Sequence, residues 1–214
     1  MLLEQWAYNS RVLEQISGHY SAEHSKSTSA TKQPLPPELV ASLVRAKHVM
    51  DGVNWTRFIG MALFDLVAHS SAPPYAWGER EELSLRELFD VIMLDIAGRN
   101  SEDLGAGAHY AASWYHLCTG YDAGYYSYLW SEVFAVDVFA AWSEAAASAS
   151  DQPAGSGAEP RADGCFDSTI GRRYRSTILS PGATKPGMTM LRDFLGRDPG
   201  IAAWIAAAVP GSES

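Results

Sequence analysis

The sequence predicts an all-α fold, because apolar residues recur at helical spacing through most of the chain. The clearest apolar stripe consists of Trp55, Phe58/Ile59, Ala62/Leu63 and Leu66/Val67. The segment Ser84-Leu85-Arg86-Glu87 has the spacing of a capping box, in which a serine and a glutamate satisfy free amides at a helix start. No segment shows a convincing alternation of polar and apolar residues, so no amphipathic strand is predicted.

Helices and turns alternate through the first half of the chain. A first helix is predicted from Met1 to a stop at Gly18, and a second helix carries Leu39 to Met50 and is broken at Asp51-Gly52. The apolar stripe from Trp55 forms a third helix, and the capping box begins a fourth. Between these two helices, Ser71–Gly78 and Glu79–Glu82 are predicted to form turns.

The second half contains the most apolar helix. From Leu129 to Trp142 the chain is apolar nearly all round, which is typical of a buried, central helix. A low-complexity stretch follows, and we interpret it from Ser148 onward as a flexible insertion. Helical spacing returns at Ile170 and Tyr174, again after Pro186, and in a short helix from Ile201 to Val209.

Composition limits the possible partners and compartments. With 214 residues, 47% of them hydrophobic, the chain can form a packed core, and its net charge of −9 argues against nucleic-acid binding. No apolar run approaches the ~20 residues that cross a bilayer, so no membrane partner is expected. The 2 cysteines favour a reducing compartment. We expect a cytoplasmic location, with a mitochondrion or another organelle as an alternative for a full-length protein.

The most informative segment is the stretch from His116 to Glu132. It contains one histidine, four tyrosines and two glycines, followed by the apolar helix. Tyr121, Tyr125 and Tyr128 have the spacing of one helix face. Phenol groups beside flexible glycines suit a site where charge develops on a substrate. On pattern alone, the same residues could instead be a packed tyrosine stripe with a buried structural histidine.

This segment resembles the tyrosine-rich loop and following helix of the thimet oligopeptidase and neurolysin family of zinc metallopeptidases. Further blocks are similar to the family in the same order, namely Met1–Trp6, Gly171–Arg175, Ile178–Gly182 and Met190–Arg197. The resemblance implies that residues 1–214 are the C-terminal part of a zincin-type oligopeptidase catalytic domain. Residues 21–37 and 148–164 would then be flexible insertions.

The resemblance also implies roles for individual residues. The family cuts short peptides inside a deep channel, and His116 and Tyr121 match its loop residues near the reaction centre. Tyr125 and Tyr128 match tyrosines on the same wall, while Gly120 and Gly124 would lie beside the substrate. Either Tyr121 or Tyr128 would donate a hydrogen bond to the oxyanion of the tetrahedral intermediate, and the sequence does not decide between them.

The zinc signature of that family, His-Glu-x-x-His, does not occur in the 214 residues. The nearest group is His19, Glu23 and His24. Its spacing matches neither the standard zincin motif nor the inverted one. We therefore expect zinc in an intact enzyme but none bound by this chain alone, and a missing N-terminal part of the domain as its partner. The alternative is a non-catalytic pseudo-enzyme that acts as a helical peptide-binding or interaction module.

Overall fold

The computed structural model describes residues 1–19, 34–99, 109–150 and 164–208. These residues are mostly helical, which confirms the all-α class. The elements are α1 (Leu2–Ala7), α2 (Ser10–Ile16), α3 (Pro37–Ala46), α4 (Asp51–Ser70), β1 (Tyr75–Trp77), β2 (Arg80–Leu83), α5 (Leu85–Ala97), α6 (Tyr110–Ser113), a 3-10 turn (Tyr115–Cys118), α7 (Ser127–Ser150), α8 (Ser168–Tyr174), a π-helical turn (Arg175–Leu179), a 3-10 turn (Gly182–Thr184), α9 (Gly187–Leu195) and α10 (Ala202–Ala208).

The chain divides into two compact units. One consists of residues 49–130, and the other combines residues 1–48 with residues 131–214. The prediction that residues 1–214 form one partial catalytic domain stays a prediction. Within the described residues, no helix is both long and apolar enough to cross a bilayer.

In the unit of residues 49–130, α4 packs against α5 around a core in which Phe64, Leu88 and Ile92 are fully buried. The capping box at the start of α5 is confirmed. The Glu87 carboxylate accepts a hydrogen bond from the Ser84 amide at 2.8 Å, and the Glu87 amide donates to the Ser84 hydroxyl at 3.3 Å. Hydrogen bonds from the Ser84 hydroxyl and amide hold the pKa of Glu87 below its usual value.

The predicted turns at Ser71–Gly78 and Glu79–Glu82 are wrong in part, because the chain forms a β-hairpin there. β1 and β2 pair antiparallel, with Tyr75 opposite Leu83 and Trp77 opposite Arg80. The strands contain three and four residues, too few for a period-two pattern to stand out. Arg80 pairs with Asp95 of α5 at 2.7 Å, which attaches the hairpin to that helix.

Two helix boundaries also differ from the prediction. The helix expected from Met1 to Gly18 is divided into α1 and α2, because the Asn9 side chain accepts hydrogen bonds from the Arg11 and Val12 amides and caps a new helix. Asp51-Gly52 does not break a helix but begins α4. The predicted second helix ends at Ala46, and the turn lies at residues 47–50, with a φ of 69° at Met50. An aspartate such as Asp51 is favourable in the first turn of a helix.

In the other unit, the core is built from α7, α8 and α9. Val138, Ala141, Trp142, Ile170 and Phe194 are its buried residues. The prediction of a buried helix from Leu129 to Trp142 is confirmed for this part of α7, whereas Trp130 near its beginning is 57% exposed. The apolar pattern therefore predicted burial correctly for the middle of the helix but not for its start.

An ion pair between the buried Asp137 and the exposed Arg197 attaches α7 to the segment after α9. The Asp137 carboxylate accepts hydrogen bonds from both terminal nitrogens of Arg197, at 2.9 and 2.7 Å, and from the Gly200 amide at 2.8 Å. Burial alone would raise the pKa of Asp137, but these hydrogen bonds and the Arg197 charge outweigh it and lower the pKa. Asp137 is therefore held in the structure as a charged group.

The two predicted insertions lie largely outside the described residues. Of 21–37, the described part ends with Pro37 as the first residue of α3. Residues 148–150 are the last residues of α7, and of the rest of 148–164 only Gly164 is described, so this insertion stays a prediction. Of the two free cysteines, Cys165 is buried and Cys118 is exposed.

Candidate substrate-binding site

The tyrosine loop, residues 119–126, connects the 3-10 turn Tyr115–Cys118 to α7. It consists of tight turns, in which the Gly124 amide donates to the Tyr121 carbonyl at 2.9 Å and the Ser127 amide donates to the Gly124 carbonyl at 3.0 Å. Gly120 has a φ of 84°. A Cβ on Gly124 would lie 3.2 Å from the Tyr121 carbonyl oxygen, which explains a glycine there.

The prediction that Tyr121, Tyr125 and Tyr128 share one helix face is wrong, because α7 begins only at Ser127. The left-handed backbone at Gly120 and Ala123 interrupts a helix that the spacing alone would allow. The three rings nevertheless converge on His116. Their centroids lie 5.6 Å (Tyr121), 5.3 Å (Tyr125) and 6.2 Å (Tyr128) from the imidazole centroid.

Tyr125 is the inner member of this group. Its ring stacks on Phe58 of α4 at 4.8 Å and meets the edge of the buried Trp114 at 4.6 Å. Burial raises the pKa of Tyr125, with a further rise from Tyr110 and an opposing effect of Arg57. The phenol is therefore neutral at physiological pH and its ring is held by contacts on two sides.

Tyr121 and Tyr128 form the outer pair. Their rings stack at 5.7 Å with an interplanar angle of 7°. A hydrogen bond with the Tyr121 hydroxyl raises the pKa of Tyr128, so this phenol is neutral at physiological pH. The Tyr121 side chain is 45% exposed and therefore accessible to a ligand.

The imidazole of His116 contains an unsatisfied polar atom. Its Nδ1 is buried and has no hydrogen-bond partner among the described residues. A buried polar atom without a partner typically costs about 1–3 kcal/mol. Of the predicted site residues, the structure thus brings His116, Tyr121, Tyr125 and Tyr128 together, with Gly120 and Gly124 in the turns between them.

Asp65 is the polar residue of this site that the sequence analysis missed. It lies in the apolar stripe of α4, is 1% exposed, and accepts hydrogen bonds from the Ala123 and Tyr125 amides. Its signal was present, since an acidic residue between Phe64 and Leu66 interrupts the otherwise apolar stretch of residues 58–68. A buried carboxylate is tolerated only with such partners.

A cavity of about 360 Å³ lies in the same unit. Met61, Phe89 and Met93 provide apolar surface, and Arg57, Arg99 and Tyr110 provide polar groups. Arg57 donates a hydrogen bond to the Tyr110 hydroxyl at 3.1 Å. An apolar surface beside guanidinium groups suits a ligand that has an apolar side chain and a carboxylate.

The described residues do not fit a catalytic zinc ion. Across 1–19, 34–99, 109–150 and 164–208, no three His, Cys, Asp or Glu side chains are grouped to hold a metal. Glu23 and His24 of the nearest sequence look-alike lie outside those ranges. His109 accepts a hydrogen bond from the Ala112 amide at 3.2 Å, and His69 contacts Asp65, so both have structural partners.

Comparison with known proteins gives a consistent family. Residues 1–209 match peptidase family M3. Thimet-like oligopeptidase of Dictyostelium discoideum is 30% identical over 205 residues, which are 95% of this chain and 25% of that protein. Oligopeptidase A of Escherichia coli is 29% identical over 203 residues, with the same coverage of each chain. Saccharolysin of Saccharomyces cerevisiae is 27% identical over 199 residues, which are 92% of this chain and 23% of that protein.

The chain spans about a quarter of the length of these relatives. The match includes the tyrosine loop, Asp65 and the Arg197 segment, so the site lies within the shared sequence. The predicted family is therefore confirmed, and the chain belongs to peptidase family M3, a family of zinc metallopeptidases.

Proposed function

We propose that this chain forms the tyrosine-bearing wall of the substrate channel in a zinc-dependent oligopeptidase that acts on short peptides. Polypeptide outside these 214 residues would carry the zinc ligands and would be the partner of this chain. The observation on which this proposal depends is the convergence of three phenols on His116, whose Nδ1 has no hydrogen-bond partner among the described residues.

The phenols supply neutral hydrogen-bond donors. In peptide hydrolysis, negative charge grows on the carbonyl oxygen, and one well-placed donor typically contributes about 3 kcal/mol in the transition state. Tyr121 is the more exposed member of the outer pair, whereas Tyr128 is partly buried, so the Tyr121 hydroxyl is the better placed to meet a ligand. We assign the oxyanion contact to Tyr121, with Tyr128 setting its orientation and His116 binding the peptide next to it.

In this proposal no described residue of the chain binds zinc. The family uses zinc to hydrolyse the peptide bond, and the described residues provide no site for it. This chain therefore binds and orients the substrate, while Tyr125 forms an immobile surface behind the outer pair. The cavity beside Arg57 is suited to an apolar side chain together with the carboxylate of a short peptide.

Peptide binding to the purified 214-residue chain tests whether the tyrosine-bearing wall binds substrate. A fluorescein-labelled nonapeptide with a free carboxylate is titrated and the anisotropy measured. We expect His116→Ala and Tyr121→Phe each to weaken binding about five- to tenfold, as for the loss of one hydrogen bond. Tyr126→Phe is the matched control, because this phenol lies in the same loop, is 47% exposed, and should not alter affinity. Equal affinity of all four proteins, or no binding by the unmodified chain, would contradict the proposal.

Peptide cleavage assays test the proposal that the chain alone lacks a complete catalytic site. The chain alone should not cleave a quenched fluorescent peptide, with or without added zinc, and chelator-sensitive cleavage by it would refute this part. A chimera in which the chain replaces the matching quarter of oligopeptidase A should regain cleavage. In that chimera Tyr121→Phe should lower kcat about 10²-fold. Peptide binding by the chain together with an inactive chimera would instead favour the non-catalytic binding module.

A further inference from the structure

We propose that Asp65 is a positioning residue. Its hydrogen bonds attach the tyrosine loop to α4 and thereby set the positions in which Tyr121 and Tyr128 contact a ligand. The consequence for ligand binding rests on the function proposed above. The structural part does not, because it concerns hydrogen bonds within residues 49–130 alone.

The two carboxylate oxygens of Asp65 bind two alternate residues of the loop. Oδ1 accepts a hydrogen bond from the Ala123 amide at 3.0 Å, and Oδ2 accepts one from the Tyr125 amide at 3.0 Å. The partners are about sixty residues apart in sequence, so these bonds connect the loop to α4 directly. Hydrogen bonds to a charged acceptor are roughly twice as strong as neutral ones.

His69, one turn along α4, completes the surroundings of this carboxylate. Its Nδ1 lies 3.0 Å from Oδ1 of Asp65 and 2.8 Å from the Asp65 carbonyl oxygen. Because a carbonyl oxygen can only accept, Nδ1 carries the hydrogen and donates it to the Asp65 carbonyl. The carboxylate itself accepts from two backbone amides and has the His69 N–H beside it, and such partners make the burial of a polar group tolerable.

The backbone of the loop needs such a restraint. Ala123 has a φ of 55°, in the left-handed region, where a residue with a Cβ is disfavoured. Since the Ala123 amide is one of the two groups bound by Asp65, the carboxylate holds the residue in the conformation it would otherwise avoid. Tyr121 lies two residues before this point and Tyr125 two residues after it, so both rings depend on it.

The two hydrogen bonds from the Ala123 and Tyr125 amides to Asp65 are called the clamp here. Amide hydrogen exchange, measured by NMR on the full chain, tests it. In the unmodified protein the Ala123 and Tyr125 amides should exchange at least about tenfold more slowly than the Asp122 amide, although all three lie outside regular helix. Asp65→Asn keeps the shape but replaces one acceptor oxygen by a donor. We expect it to accelerate exchange at Ala123 and Tyr125 about tenfold or more, with unchanged exchange in α5.

Asp137→Asn is the matched control, because Asp137 is also buried and also accepts a backbone amide, that of Gly200. It should accelerate exchange at Gly200 and leave Ala123 and Tyr125 unchanged. Fast exchange at Ala123 and Tyr125 in the unmodified chain, or no acceleration by Asp65→Asn, would overturn the proposal. The first of these measurements decides the matter even if the Asp65→Asn variant does not fold.

Affinity for the labelled nonapeptide is the second readout. Asp65→Asn should weaken binding about tenfold, whereas Asp137→Asn should not change it. Accelerated exchange at the two amides with unchanged affinity would overturn the positioning role. An unmodified chain that binds no peptide would refute the proposed function, while the clamp would still be decided by exchange alone.

Discussion

Removal of the Arg197 guanidinium should strongly destabilise the unit that contains α7. Arg197 supplies two of the hydrogen bonds that Asp137 accepts, and Arg197→Ala leaves a carboxylate that is 3% exposed without its counter-charge. Breaking one side of a buried pair costs about 3–5 kcal/mol. Because the Arg197 side chain is 44% exposed, water can reach its place, and we expect the lower end, about 3 kcal/mol.

A loss of this size corresponds to a fall in Tm of about 6–12 °C for a chain of about 200 residues. Urea and thermal unfolding at neutral pH, followed by circular dichroism, measure it. Arg192→Ala is the matched control: Arg192 pairs with Asp198, and both side chains are more than half exposed. That pair should contribute about 0–1 kcal/mol. If Arg197→Ala costs no more than Arg192→Ala, the reasoning from burial is wrong.

Three further outcomes are expected. The pKa of Asp137 is lower in the folded state than in the unfolded state, where it is about 3.9. Its contribution to stability is therefore present above the unfolded pKa and is lost as pH falls through the folded one. Asp137→Asn should accordingly flatten the acid limb of a curve of stability against pH. Phe64→Ala, at a fully buried position, should cost about 3–5 kcal/mol in urea unfolding, and a cost under about 1 kcal/mol would contradict its place in the core. Tyr121→Phe should lower the pKa of Tyr128 toward the usual value of about 10 in an ultraviolet titration of the phenols, and an unchanged titration would disprove the hydroxyl pair.

The parts of the fold that the sequence predicted are those encoded within a few residues. The capping box at Ser84 and the apolar stripe of α4 depend on neighbours three or four positions away, so their pattern is visible in the sequence. The hairpin at Tyr75–Leu83 was missed because its strands are too short to show a period. Its attachment depends on Asp95, which is distant in sequence from Arg80.

The site shows the same division. The residues that converge, His116 and the three tyrosines, were identified from one contiguous segment. Their arrangement was predicted as a helix face, and it is instead a series of turns, because Asp65 of another helix holds Ala123 in a left-handed conformation. Spacing within a segment carries no information about a hydrogen bond that arrives from fifty-eight residues away.

The left-handed conformation at Ala123 restricts which residues evolution or design can place there. Glycine pays no steric penalty at this φ and asparagine little, while valine, isoleucine and threonine would crowd the following carbonyl. A position whose side chain is a single methyl group therefore has a narrow substitution tolerance, set by its backbone alone. In deep mutational scanning, position 123 should tolerate glycine and asparagine but not β-branched residues. Neither the hydrophobicity nor the size of the substituted side chain explains that pattern.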